Sequence, residues 1–145
     1  MDVKYKEIST INEFIDAIRL RADVFIIEQG FQPGWEPDED DKISKHFIAV
    51  VDDKIVSTAR LRETAKNEIK IERMVTKKEY REKGIGTGLV KFMVEEIKKL
   101  NPSRIWLQSQ VQAQKFYEDV GFKSVSKPFD MWGVPHIDMD YVKEL

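Results

Sequence analysis

The segment Arg81-Glu82-Lys83-Gly84-Ile85-Gly86-Thr87-Gly88 lies between a strand-like stretch ending near Val75 and a strongly patterned helical stretch. A helix N-terminus presents unpaired backbone N–H donors in a positive dipole field, and residues without a Cβ let an anion approach them. Arg81 and Lys83 add charge at the same place. Each glycine inside a helix costs ~1 kcal/mol relative to alanine, so Gly86 and Gly88 weaken a helix that their neighbours promote. The pattern favours a phosphate-binding turn over a loop whose glycines merely redirect the chain. It is not a Walker loop, since Leu89 follows the last glycine, and it lacks the Gly-x-Gly-x-x-Gly spacing of a dinucleotide fold.

Four further side chains are candidates for proton transfer. Tyr117 precedes the helix stop at Gly121, and Glu72 alternates with Ile71 and Arg73 on the strand that enters the glycine turn. His46 and His136 are the only histidines, the side chains that ordinarily titrate near neutrality. His136 follows Pro135, whereas His46 opens a strand after an acidic loop, which it could lock by a hydrogen bond. No His-x-x-x-His spacing occurs and there is no cysteine, so we expect neither a metal nor a thiol nucleophile.

These residues need elements to hold them. Alternation from Val3 to Ile8 predicts a strand, and Thr10 with Glu13 forms a capping box. The helix it starts places Ile11, Phe14, Ile15, Ile18, Ala22, Phe25 and Ile26 on one face until Gly30. Residues 30–44 read as a long irregular loop. His46–Val51 and Ile55–Glu63 read as a hairpin turning at Asp52-Asp53, followed by a third antiparallel strand, Ile69–Val75. The period then changes to 3.6, with Ile85, Leu89, Phe92, Met93, Ile97 and Leu100 in one stripe. Beyond Asn101-Pro102 come a short strand at Ile105–Leu107, a helix from Gln112 to Val120, and strands at Phe122–Val125 and Ile137–Val142.

The 145 residues suit a single domain, 1–145, with 41% hydrophobic content for its core. A formal net charge of -2 gives no attraction to a polyanion, so no nucleic acid is expected as a partner. The longest apolar run, Phe47–Val51, is far short of a membrane span, and MDVKYKEIST lacks the apolar stretch of a signal peptide. A cytoplasmic protein is the default. Sheet edges leave a homodimer open.

Arg81-x-x-Gly84-x-Gly86 after a Met74-Val75 strand end resembles the acyl-CoA signature of the GNAT N-acyltransferase superfamily. Within it the chain is similar to the ElaA-like acyltransferases. The shared features are Arg21, Val24-Phe25, Glu28-Gln29, Asp41, His46, Arg60, Glu72-Arg73, Gln110, Phe116-Tyr117, Gly121-Phe122 and Pro135-His136-Ile137. The resemblance implies an α/β (α+β) fold: a mixed, mostly antiparallel sheet of six to seven strands flanked by helices. It implies transfer of an acetyl group from acetyl-CoA to a primary amine, by direct attack in a ternary complex, without a metal. The backbone of Met74, Val75 and Thr76 would pair with the pantetheine arm. The amides from Glu82 through Lys83, Gly84, Ile85 and Gly86 to Thr87, with Arg81, would hold the pyrophosphate. Gln110 stands where many members have Asn, and the ElaA-like proteins resemble it in using Gln.

Acyl transfer to an amine needs an acceptor for a proton that a free alkyl amine holds up to ~pH 10.4, and a donor for the departing thiolate. By the resemblance Tyr117 is that donor, against the reading of a core aromatic whose hydroxyl reaches the surface. Glu72 is the candidate base, against a surface pair with a neighbouring cation. Glu28, Gln29, Arg60 and His136 are expected to shape the site of a small-molecule or peptide amine. If Asp38 to Asp41 face that site, a cationic amine is preferred. The rival readings are a non-catalytic acyl-CoA-binding or regulatory domain and, less well supported, a protein-interaction module.

Overall fold

Thr10 caps the first helix as its spacing from Glu13 predicts: Thr10 Oγ1 accepts from Glu13 N at 3.1 Å, and the Glu13 carboxylate accepts from Thr10 N at 3.2 Å. The computed structural model describes residues 1–142. Helix α1 spans Ile11–Arg21 and runs on as a π-helical stretch, Ala22–Glu28, with Gly30 at φ 80° just beyond it. Its buried face is Ala17, Leu20 and Val24, while Ile11 and Ile15, expected on that face, are exposed. Helix α2 spans Ile85–Lys98, and α3 spans Gln114–Glu118 after a 3-10 turn at Val111–Ala113.

Among the described residues eight strands form one sheet: β1 Lys4–Glu7, β2 Lys45–Val51, β3 Lys54–Ala65, β4 Glu68–Thr76, β5 Arg104–Gln110, β6 Phe122–Ser124, β7 Phe129–Met131 and β8 Val134–Tyr141. Their order is β1-β2-β3-β4-β5-β8-β6, with β7 also on β8; only the β4–β5 pair is parallel. The strand that the sequence did not reveal is β7, whose three residues turn back into β8 through Trp132-Gly133.

Alternation along the strands divides the sheet into two faces. Phe47, Ala59, Leu61 and Ile71 point into the core that α2 covers with Leu89, Val90, Met93, Val94 and Ile97. Their chain neighbours His46, Arg60 and Glu72 pair across β2, β3 and β4 on the opposite face, beneath the acidic loop and α1.

The parallel β4–β5 pairing runs from Glu68/Arg104 to Ile71/Leu107 and stops, although β4 continues to Thr76 and β5 to Gln110. On its other side β4 carries a bulge between the Arg60/Glu72 and Thr58/Val75 pairs, where Arg73 sits at φ 56°. A bulge bends its strand and increases the local twist, and here it lies where β4 parts from β5. The result is a cleft at the centre of the sheet. Among the described residues no helix is long and apolar enough to cross a membrane.

Candidate active site

The cleft holds two adjoining cavities. The larger, of about 400 Å³, lies between the end of β4 (Met74, Val75, Thr76), the turn into α2 (Arg81, Glu82, Gly84, Ile85, Gly86, Thr87) and α3. Helix α2 begins without a side-chain cap, and its first backbone bond joins Gly88 N to Gly84 O at 3.0 Å. The N–H groups of Ile85, Gly86 and Thr87 are therefore the open donors of that helix, whereas in α1 Thr10 caps the N–H of Glu13. An uncapped N-terminus facing a groove is suited to an anion. Lys83, expected to help, does not line the groove.

The three glycines have separate reasons. Gly84 sits at φ 80°, a conformation that glycine adopts without strain. A Cβ on Gly86 would come within 3.1 Å of Met74 Cε and 3.2 Å of Thr76 Oγ1, so its bare Cα lets α2 press against β4. A Cβ on Gly88 would overlap the Tyr5 hydroxyl at 2.0 Å. Gly88 is thus a packing residue, not one that admits an anion.

Arg81 is anchored by Nε to the Thr76 carbonyl at 2.9 Å, while Nη1 and Nη2 reach the Glu28 carboxylate at 2.7 and 2.8 Å. Next to Glu28, Gln29 accepts from Gln110 Nε2 at 3.1 Å. The end of the π-helical stretch therefore touches both sides of the cleft. Gln29 and Gln110 line the second cavity; Glu28 lines neither, and Gln110, expected on the coenzyme side, lies on the other.

The second cavity, of about 230 Å³, shares Met74, Ala113 and Tyr117 with the first. Tyr117 is buried against Phe116 and Phe122, and this burial pushes its phenol well above its usual pKa, so it keeps its proton. His136 lines the second cavity with Nδ1 2.8 Å from the Val134 carbonyl. A carbonyl can only accept, so Nδ1 is the donor, and in a neutral ring the lone pair is on Nε2. His46 lies elsewhere, Nε2 3.1 Å from the Asp41 carbonyl, and locks the acidic loop.

Of that loop's acids, Asp38 to Asp41 line neither cavity, and they are not all left to solvent. Asp41 receives both terminal nitrogens of Arg21 at 2.7 and 3.1 Å and Arg60 Nη1 at 2.8 Å; Arg60 also holds Asp38 at 2.6 Å and Glu72 at 3.1 Å. Arg60 is only 2% exposed and lines neither cavity, so its expected contact with an acceptor is overturned. Glu72 does line the second cavity, but Arg62 holds it at 2.9 Å and Lys70 at 2.9 Å in addition to Arg60. Burial favours its neutral form, yet Arg62, Lys70 and Arg60 outweigh this and bring its pKa down to about 2. Such a carboxylate is a poor proton acceptor near neutrality, which removes the reason for making Glu72 the base.

Several lining residues went unnoticed in the sequence: Phe31, Trp35, Glu36, Lys70 and Trp132. Glu36 is paired with Arg21 and, at 2.7 Å, with Arg73; burial nevertheless raises its pKa. Backbone strain marks some of these positions. Among the described residues, the non-glycine ones with positive φ are Asp52, Asp53, Asn67, Asn101, Arg73, Glu82 and Trp132. Asn and Asp tolerate that region well, bulkier residues poorly. The three that are neither Asn nor Asp all line the cleft. Among the described residues no group of three or more His, Cys, Asp or Glu could hold a metal ion.

A splayed β4–β5 pair, an uncapped helix N-terminus at the splay and a tyrosine shared by both cavities make up the cleft. Residues 10–143 match the acetyltransferase (GNAT) domain model, and the chain belongs to the GNAT acetyltransferase family. The uncharacterised N-acetyltransferase YjcF of Bacillus subtilis is 31% identical over 86% of this chain and 89% of its own. ElaA of Escherichia coli is 27% identical over 95% and 92%, and its crystal structure superposes with a TM-score of 0.87 at 23% identity, covering 97% and 100%. The PaiA N-acetyltransferase of Thermoplasma acidophilum, solved with coenzyme A, shares the fold at 16% identity, with a TM-score of 0.74 over 97% and 100% of the two chains.

Proposed function

We propose that this chain is an acetyl-CoA-dependent N-acetyltransferase acting on a primary amine, with the coenzyme in the larger cavity and the amine in the smaller. The observation that carries this reading is Tyr117, which lines both cavities where they meet. The residues fit the coenzyme: three open N–H donors at Ile85, Gly86 and Thr87 suit a pyrophosphate, and the edge of β4 beyond Ile71, unpaired on the β5 side, suits an amide-bearing arm. When bound, acetyl-CoA supplies an acyl group activated as a thioester.

His136 takes the amine's proton at Nε2, the nitrogen left basic by the Nδ1 bond to Val134. Tyr117 holds a proton for the departing sulfur, and its burial keeps that proton in place at neutral pH. Glu72 contributes fixed charge and order rather than basicity. The test is free-thiol release from acetyl-CoA across a panel of amines, with the N-acetyl product identified by mass spectrometry. Amine-dependent release is expected; coenzyme binding without release for any amine would favour a non-catalytic acyl-CoA-binding domain.

A further inference from the structure

The wall of the smaller cavity away from the coenzyme is aromatic and comes from two distant segments. Phe31 and Trp35, on the loop after α1, stack with centroids 4.9 Å apart; Trp132, in the β7–β8 turn, lies 4.8 Å from Trp35 and 6.4 Å from Phe31. Its edge meets His136 at 6.2 Å. The charged groups in the lining are already matched with one another. Glu36 is held by Arg21 and Arg73, and Glu72 by Arg60, Arg62 and Lys70, with Lys70 also donating to Gln108 at 2.9 Å. Neither carboxylate is free to hold the second ammonium of a polyamine.

Trp132 is the least expected residue of this wall. Trp132 and Gly133 are the two central residues of the hairpin between Met131 and Val134, at φ 57° and 80°. A two-residue turn with both φ positive favours Asn-Gly, and a bulky ring at its first position is strained. Burial does not explain the choice, since Trp132 is 54% exposed. Strain in a cavity-lining residue whose aromatic neighbours leave about half of its surface open points to a ligand.

We propose that the acceptor is a primary amine carried on a flat apolar body, an arylalkylamine, and that Trp132 with Phe31 and Trp35 selects it; this rests on the acetyl-transfer reading above. The ring of such a ligand lies against the aromatic wall while its amine points to His136. Calorimetry of 2-phenylethylamine, butylamine, glucosamine and spermidine, with and without coenzyme A, tests it on the wild type and on Trp132→Asn. In the wild type 2-phenylethylamine binds at least about tenfold tighter than the other three, because only it has an apolar aromatic ring to bury. Trp132→Asn reduces that preference to about twofold, retains coenzyme affinity, and has an equal or higher Tm because Asn-Gly suits the turn. Tighter binding of spermidine or glucosamine, or an unchanged preference in Trp132→Asn, overturns the proposal. Thiol release is scored separately: selective amine binding without release would sink the transferase reading and leave the aromatic site standing.

Discussion

Arg81 and Glu28 form a two-pronged ion pair, 2.7 and 2.8 Å, at the mouth of the groove proposed for the coenzyme. Arg81 is fixed at Nε by Thr76, so its two terminal nitrogens are turned toward a carboxylate where a pyrophosphate would compete for them. Glu28→Gln should therefore tighten coenzyme A binding, by at most about fivefold, since an exposed pair contributes only ~0.2–1 kcal/mol. Arg81→Met should weaken it. Calorimetry at two salt concentrations reads both, and equal affinity in all three proteins would separate Arg81 from the coenzyme.

Replacing Gly88 tests packing rather than ligand binding. Gly88→Ala drives a methyl into the Tyr5 hydroxyl and should cost about 1–3 kcal/mol of stability, with coenzyme affinity retained in the folded protein. In a double-mutant cycle with Tyr5→Ala most of that cost should disappear, a coupling of at least ~1 kcal/mol.

The buried ion network should be intolerant of a lost partner. Arg60→Gln leaves Asp38, Asp41 and Glu72 short of a cation and should destabilise by about 3–5 kcal/mol in chemical denaturation. Arg62, 21% exposed at its side chain, also holds Glu72, and Arg62→Gln should cost less.

Acid should unfold the protein in two windows. Burial lowers the pKa of His46 despite its bond to Asp41, so the unfolded chain binds that proton first and stability falls as pH drops below 6.5. Glu72, whose pKa comes down from 4.5 to about 2, gives stability that is complete above pH 4.5 and lost towards pH 2; Asp41, held low by Arg21 and Arg60 against its burial, acts in the same sense. Glu36, raised by burial, opposes this in part. His46→Gln should remove the upper window in thermal melts recorded between pH 7 and 5.

Local chemistry was readable in the sequence and long-range pairing was not. Thr10 and Glu13 specify a helix start within four consecutive residues, and the stripe from Ile85 to Ile97 specifies the face of α2. The hairpin at Asp52-Asp53 was equally plain, both residues having positive φ. The acidic loop, in contrast, owes its burial to Arg21, Arg60 and Arg73, which come together only when β3 and β4 pass beneath α1. Strand β7 escaped notice because it has three residues and its turn uses Trp where Asn would signal a hairpin. Gly88 looked like part of an anion loop because nothing in the sequence places Tyr5 against it.

His136→Gln should lower kcat/KM by about 10²–10⁴, while coenzyme affinity stays the same. An unchanged kcat/KM would assign the proton transfer to another group.

The most direct test of the central claim compares acetyl-CoA turnover and coenzyme A affinity in the wild type and Tyr117→Phe. Tyr117 joins the two cavities, and its hydroxyl is the only group that this substitution removes. The account predicts coenzyme affinity within about twofold of wild type and amine-dependent thiol release reduced by about 10²-fold or more. Equal rates of release in the two proteins would contradict it.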